Sequence, residues 1–104
     1  MSALNITRNN FNEVMSSGKP VLIDFWAPWC MPCRMFAPVV EEVAQENAER
    51  VSVGKINIDE EPELAAQFGV MSIPTLVLLQ SGRAVASSVG AQPKTAVQRM
   101  LDKL

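Results

Sequence analysis

Cys30 and Cys33 are the only cysteines in this 104-residue chain, which has no histidine at all. Side chains three apart meet across one helical turn, so a disulfide between them closes with little backbone movement; most cysteine pairs lack that geometry. The pair stands between an apolar run, Val21–Ala27, and an amphipathic stretch, which puts Cys30 at a helix mouth. Unsatisfied amide hydrogens and the helix dipole favour an anion there, so Cys30 is expected to hold a thiolate with a lowered pKa. Pro32 suits the first helical turn, where its missing N–H costs nothing. Roles follow from position. Cys30, nearer the surface, attacks a substrate disulfide, and Cys33, one turn inward, attacks Cys30 and releases the reduced product. Trp29 flanks the nucleophile as an apolar platform with one hydrogen-bond donor.

Other uses of a C-x-x-C pair are weakened by counting. Structural zinc needs four cysteine or histidine ligands and the chain offers two, leaving only a site shared between chains. Iron–sulfur ligation fails on the same count. Attached haem needs histidine after the second cysteine, where Arg34 stands. No metal and no bound cofactor are expected. Without histidine, any proton relay must use carboxylate, lysine, water or the thiols.

Asp24 lies in the middle of the apolar run, where a carboxylate is expensive unless neutral, paired or hydrated. Either it sits at a sheet edge or bulge and points outward, or it is a partly buried acid of raised pKa that exchanges protons with Cys33. Lys55 falls mid-strand, either paired with Asp24 or simply exposed. Ile73-Pro74-Thr75 precedes a further apolar run; taken alone, that proline marks a strand start and does not justify a cis assignment.

These residues need a scaffold. Residues 3–7 alternate weakly, as in a short first strand. Phe11, Val14 and Met15 take helical spacing, with Thr7 and Asn9-Asn10 as candidate caps. Val21–Ala27 reads as a strand buried on both faces. Phe36, Val39, Val40, Val43 and Ala44 mark a helix to about Ala48, with a kink expected at Pro38. Val51–Ile58 alternates as a strand, and Pro62–Phe68 is a short helix closed by Gly69. Thr75–Leu79 and Ala84–Val89 form a hairpin about Ser81-Gly82-Arg83. Val97, Met100, Leu101 and Leu104 line a last helix beginning near Pro93. Alternating strands and helices, then a hairpin and a helix, give an α/β layer structure with a mixed sheet.

Apolar residues make up 48% of the chain, enough for one core and one domain over residues 1–104. A net charge of −2 excludes a polybasic face, hence nucleic acid or anionic membrane, as the main activity. No basic start followed by an apolar stretch marks a secretory signal, and no apolar run approaches the roughly 18 residues of a membrane helix. The expectation is a cytoplasmic protein, where two cysteines point to redox work rather than a structural staple.

Taken in order, Asp24-Phe25-Trp26-Ala27-Pro28-Trp29-Cys30, Pro32-Cys33, Pro38, Lys55, Asn57, Asp59, Ile73-Pro74-Thr75, Gly82 and Val89-Gly90 resemble the thioredoxin family over essentially the whole chain. The resemblance implies the thioredoxin fold, a central mixed five-stranded sheet flanked by four helices. It implies a protein-disulfide reductase whose catalytic residues are Cys30, Cys33, Asp24 and Lys55. Ile73–Pro74 is then cis and faces the cysteines. Clients dock on Trp29, Ile73, Pro74, Val89, Gly90 and Ala91, with Met31 and Pro32 beside the nucleophile. Electrons come from a thioredoxin reductase and ultimately NADPH; clients include ribonucleotide reductase, peroxiredoxins and methionine sulfoxide reductases; the default state is a monomer. Two positions depart from the family pattern. Met31 and Ser72 both stand where glycine is usual. Met31 adds a flexible apolar side chain beside Cys30, which either shifts the chemistry of the pair or is merely tolerated on a solvated loop. An oxidase or isomerase, a glutaredoxin, and a binding module with incidental cysteines are the competing functions.

Overall fold

A computed structural model describes residues 2–104. In chain order the elements are β1 (Leu4–Asn5), α1 (Phe11–Met15), β2 (Val21–Trp26), α2 (Met31–Glu46), β3 (Ser52–Asn57), α3 (Pro62–Gln67), β4 (Thr75–Gln80), β5 (Arg83–Val89) and α4 (Lys94–Leu101). The strands form one mixed sheet in the order β1-β3-β2-β4-β5. β1, β3 and β2 are parallel; β4 is antiparallel to β2, and β5 to β4. The five strands and four helices match the expected architecture.

β2 is the middle strand, which explains its unbroken apolar composition: both faces are covered. Leu22, Val53, Leu76 and Leu78 pack on one face with Phe36, Val40 and Val43 of α2 and Val97, Met100 and Leu101 of α4. Ile6, Ile23, Phe25, Ile56, Val77 and Leu79 pack on the other with Leu64 and Ala65 of α3, and with Phe11, Val14 and Phe68 against them. The apolar phase of β3 changes from Val53 to Ile56 because Lys55 takes the α2/α4 face between them.

Local chemistry sets the ends. α2 begins at Met31, with Cys30 as its N-cap and Pro32 in its first turn, and runs on through Pro38. The hairpin between β4 and β5 turns on Ser81 and Gly82, both of positive φ (54° and 77°), the conformation that a tight two-residue hairpin loop requires. Gly54 lets β3 pass beneath the buried Ile6 side chain, which would collide with any Cβ there.

Several sequence expectations are corrected. Only Leu4–Asn5 of the first stretch is a strand. Asn10 is the residue before α1, but its side chain accepts from the Thr7 N–H (2.8 Å) and does not cap the helix. α2 ends at Glu46 rather than Ala48, and Leu104 lies beyond α4 instead of on its buried stripe. Lys94, at the start of α4, ties it to α2 through Glu46 (2.6 Å) and Glu42 (3.4 Å). Among the described residues, no helix is long and apolar enough to cross a membrane.

Candidate active site

The loop from Ala27 to Cys30 leaves the central strand and turns into α2, so both cysteines stand at the end of the sheet where its middle strand stops. Cys30 and Cys33 form a disulfide, with Cα atoms 5.3 Å apart. Cys30 has extended backbone geometry and caps α2: its Sγ accepts a hydrogen bond from the Cys33 N–H at 3.2 Å. That amide is one of the orphan donors of the first helical turn, and it will bond a thiolate more strongly than a neutral sulfur. The Cys30 Sγ also lies 3.9 Å from the Ile73 carbonyl oxygen. Both cysteines are buried in this oxidised state, Cys30 at 5% and Cys33 at 2% exposure, in a small cluster with Ala27 and against Trp26, Ile58 and Ile73.

Distant stretches of chain meet here. The Ile73–Pro74 bond is cis. Pro74 is buried, and its carbonyl accepts from the Gly90 N–H at 2.7 Å. Val89 is the register partner of Thr75 and largely exposed. Trp29, Met31, Pro32, Ile73, Pro74, Val89 and Gly90 thus border the disulfide or one another. Ala91 follows Gly90 and is exposed.

Asp24 is fully enclosed, not turned outward at an edge: it lies in the middle strand at 1% exposure. Alternation puts it on the face of Leu22, under α2 and α4, the same side as the buried flank of α2 that carries Cys33. Neither carboxylate oxygen has a hydrogen-bond partner among the described residues. Burial pushes its pKa from 3.8 to about 7, and the neighbouring positive charge of Lys55 only partly opposes this. Lys55 is the register partner of Asp24 on β3, yet the two form no ion pair; the Lys55 ammonium instead lies 4.5 Å from the centre of the Trp26 ring. Lys55 is thus neither ion-paired with Asp24 nor simply exposed: it is half-buried and acts on Asp24 through space while its ammonium lies over the aromatic face.

Sequence reasoning missed three features. The Trp29 indole N–H donates to the Asp59 carboxylate (3.0 and 3.3 Å), which fixes a side chain that is 69% exposed. Among the described residues the buried Trp26 indole nitrogen has no hydrogen-bond partner, two residues from Asp24, which also has none. Finally, Trp29, Ile58, Val70, Met71, Ser72 and Ile73 line an open, mainly apolar cleft of about 310 Å³ beside Cys30. Met71, two residues before Ile73, is 95% exposed; single apolar side chains on a surface are ordinary, so nothing along the chain marked this cleft.

The thioredoxin family model matches residues 2–103. A thioredoxin of Alicyclobacillus acidocaldarius is 50% identical over 100 residues, covering 96% of this chain and 95% of its own. A bifunctional thioredoxin reductase/thioredoxin of Mycobacterium leprae is 52% identical over 91 residues, 88% of this chain but 20% of that larger protein. Among solved structures, a mutant thioredoxin from Halobacterium salinarum superposes with a TM-score of 0.90 at 37% identity, covering 98% of this chain and 89% of that one. With the Cys30–Cys33 disulfide at the helix mouth, the chain is a thiol–disulfide oxidoreductase and belongs to the thioredoxin family.

Proposed function

We propose that Cys30 is the attacking sulfur and Cys33 the resolving one in the reduction of client disulfides. The observation that carries this is the Cys33 N–H aimed at the Cys30 Sγ at the start of α2. In the reduced protein, the Cys30 thiolate attacks one sulfur of a client disulfide, forming a mixed disulfide and expelling the second client thiolate. Cys33 loses its proton and attacks Cys30. The mixed disulfide breaks, the client leaves with both sulfurs reduced, and Cys30–Cys33 is oxidised. Asp24 takes the proton of Cys33; its place under α2 and its pKa of about 7 support this, because an acid titrating near neutrality can accept and return a proton. Lys55 restrains that pKa from rising further.

Clients dock through main-chain bonds to the Ile73–Pro74 segment and apolar contact with Trp29, Met31, Pro32, Ile73, Pro74, Val89, Gly90 and Ala91. The exposure of Trp29, Met31 and Val89 around buried sulfurs supports it. A thioredoxin reductase using NADPH restores the dithiol. The Mycobacterium leprae relative, in which the two functions share one chain, supports that pairing. Ribonucleotide reductase, peroxiredoxins and methionine sulfoxide reductases are the proposed clients, met by a monomer in the cytoplasm, where a reducing poise keeps Cys30 and Cys33 ready. Insulin reduction followed by turbidity, with dithiothreitol as electron source, tests the assignment. The wild-type chain turns over and Cys30→Ser does not; activity retained in Cys30→Ser would refute Cys30 as the nucleophile.

A further inference from the structure

A second cleft opens between β5 and α4, with a volume of about 210 Å³. Its polar lining consists of Ser87, Ser88, Gln92, Arg99 and Lys103, and no carboxylate contributes to it. Arg99, near the end of α4, and Lys103, just past it, stand four residues apart, and among the described residues neither makes an ion pair. Asp102, beside Lys103 in the chain, is taken up by Arg50 at 3.6 Å. On a chain of net charge −2, this is a local excess of positive charge facing hydroxyl and amide groups.

The cleft adjoins a sheet edge that is open to an added strand. β5 is the last strand of the sheet, and beyond Arg83 at its start it carries no charged side chain of the sort that guards edges against pairing. A strand added to such an edge projects alternate side chains to each face of the sheet, and one of those faces is the α4 face. The edge is also continuous with the redox site. Cys30 touches Ile73, Pro74 accepts from Gly90, and the Gln92 side chain bonds the Val89 carbonyl at 3.4 Å as it lines the cleft.

We propose that the β5/α4 cleft is a docking subsite for an extended, acidic segment flanking the client's disulfide. Arg99 and Lys103 attract its carboxylates, while Ser87, Ser88 and Gln92 supply hydrogen bonds. At about 3.3 Å per residue, the stretch of β5 from Val89 back to Ala86 places the acidic residues about three to five positions from the client cysteine. The site selects among clients and takes no part in the sulfur chemistry. It rests on the reading of Cys30 as the attacking sulfur.

The test uses two synthetic disulfide peptides that differ only in carrying glutamate or glutamine at alternate flanking positions, together with a small aromatic disulfide. At low salt the wild-type chain should reduce the glutamate peptide with kcat/KM about three- to tenfold higher than the glutamine peptide, as expected for two exposed charge contacts. Arg99→Glu with Lys103→Glu should abolish the preference and leave small-disulfide turnover unchanged. High salt should erase it in the wild type. Equal turnover of the two peptides by the wild type, or a preference surviving in the double variant, overturns the proposal. If the double variant does not fold, Arg99→Gln and the salt titration of the wild type decide the same question. Failure of the wild type on the small disulfide would overturn the Cys30 reading instead, and this one with it.

Discussion

Replacing Asp24 with asparagine should stabilise the oxidised protein at neutral and alkaline pH and lose that benefit in acid. The unfolded chain ionises this carboxyl near 3.8, whereas the folded protein holds its proton to about 7. Below pH 3.8 both states are protonated and the site costs nothing by ionisation. Between 3.8 and about 7 the unfolded state alone gives up the proton, so folding stability falls as pH rises. At roughly 1.4 kcal/mol per pH unit, the full gap amounts to about 4 kcal/mol, reached near pH 7 and constant above it. That is a large fraction of the roughly 5–15 kcal/mol typical of a small domain. The substituted amide cannot ionise, so urea unfolding of wild type and Asp24→Asn from about pH 4 to 9 should give curves that diverge upward through this window. The difference between them, not either curve alone, is the observable, since the buried amide brings its own desolvation cost at every pH. A difference that does not change with pH would refute the claim that Asp24 is a desolvated acid. One that grows toward acid would mean the carboxylate is stabilised in the fold and not penalised.

Asp59→Ala frees the Trp29 indole, and a bond of this kind is worth about 0.5–1.5 kcal/mol; KM for a protein client should rise up to about tenfold while kcat is kept. Steady-state insulin reduction checks this, and a change in kcat alone would contradict it. Gly54→Ala forces a Cβ into the buried Ile6 side chain, so the urea midpoint should fall by about 1–3 kcal/mol of stability at unchanged slope. An unaltered midpoint would mean that Ile6 can move aside.

Much of this architecture was legible because local and global signals agree. The apolar run at Val21–Trp26 could be satisfied only in mid-sheet, and the Met31–Glu46 helix displays its buried stripe at regular spacing. Cys30 and Cys33 were recognisable because three-residue spacing at a strand–helix junction leaves few other uses. The cis bond at Ile73–Pro74 was different: no local property of the tripeptide encodes it, so only resemblance to a family pointed there. What stayed hidden depends on the third dimension. Lys55 lies opposite Asp24 only through strand register, and whether its ammonium turns to the carboxylate or to Trp26 is decided by side-chain packing. The Trp29–Asp59 bond spans 30 residues, and the charged cleft of Arg99 and Lys103 exists only because α4 lies along β5. Neither leaves a pattern along the chain.

In the proposed mechanism the Cys33 N–H at the start of α2 holds the Cys30 sulfur as a reactive anion, while the Cys33 sulfur lies more deeply buried. Timed alkylation of the reduced protein with iodoacetamide near neutral pH, read site by site by mass spectrometry, tests it directly. Cys30 should be modified well before Cys33. Equal rates, or Cys33 reacting first, would contradict it.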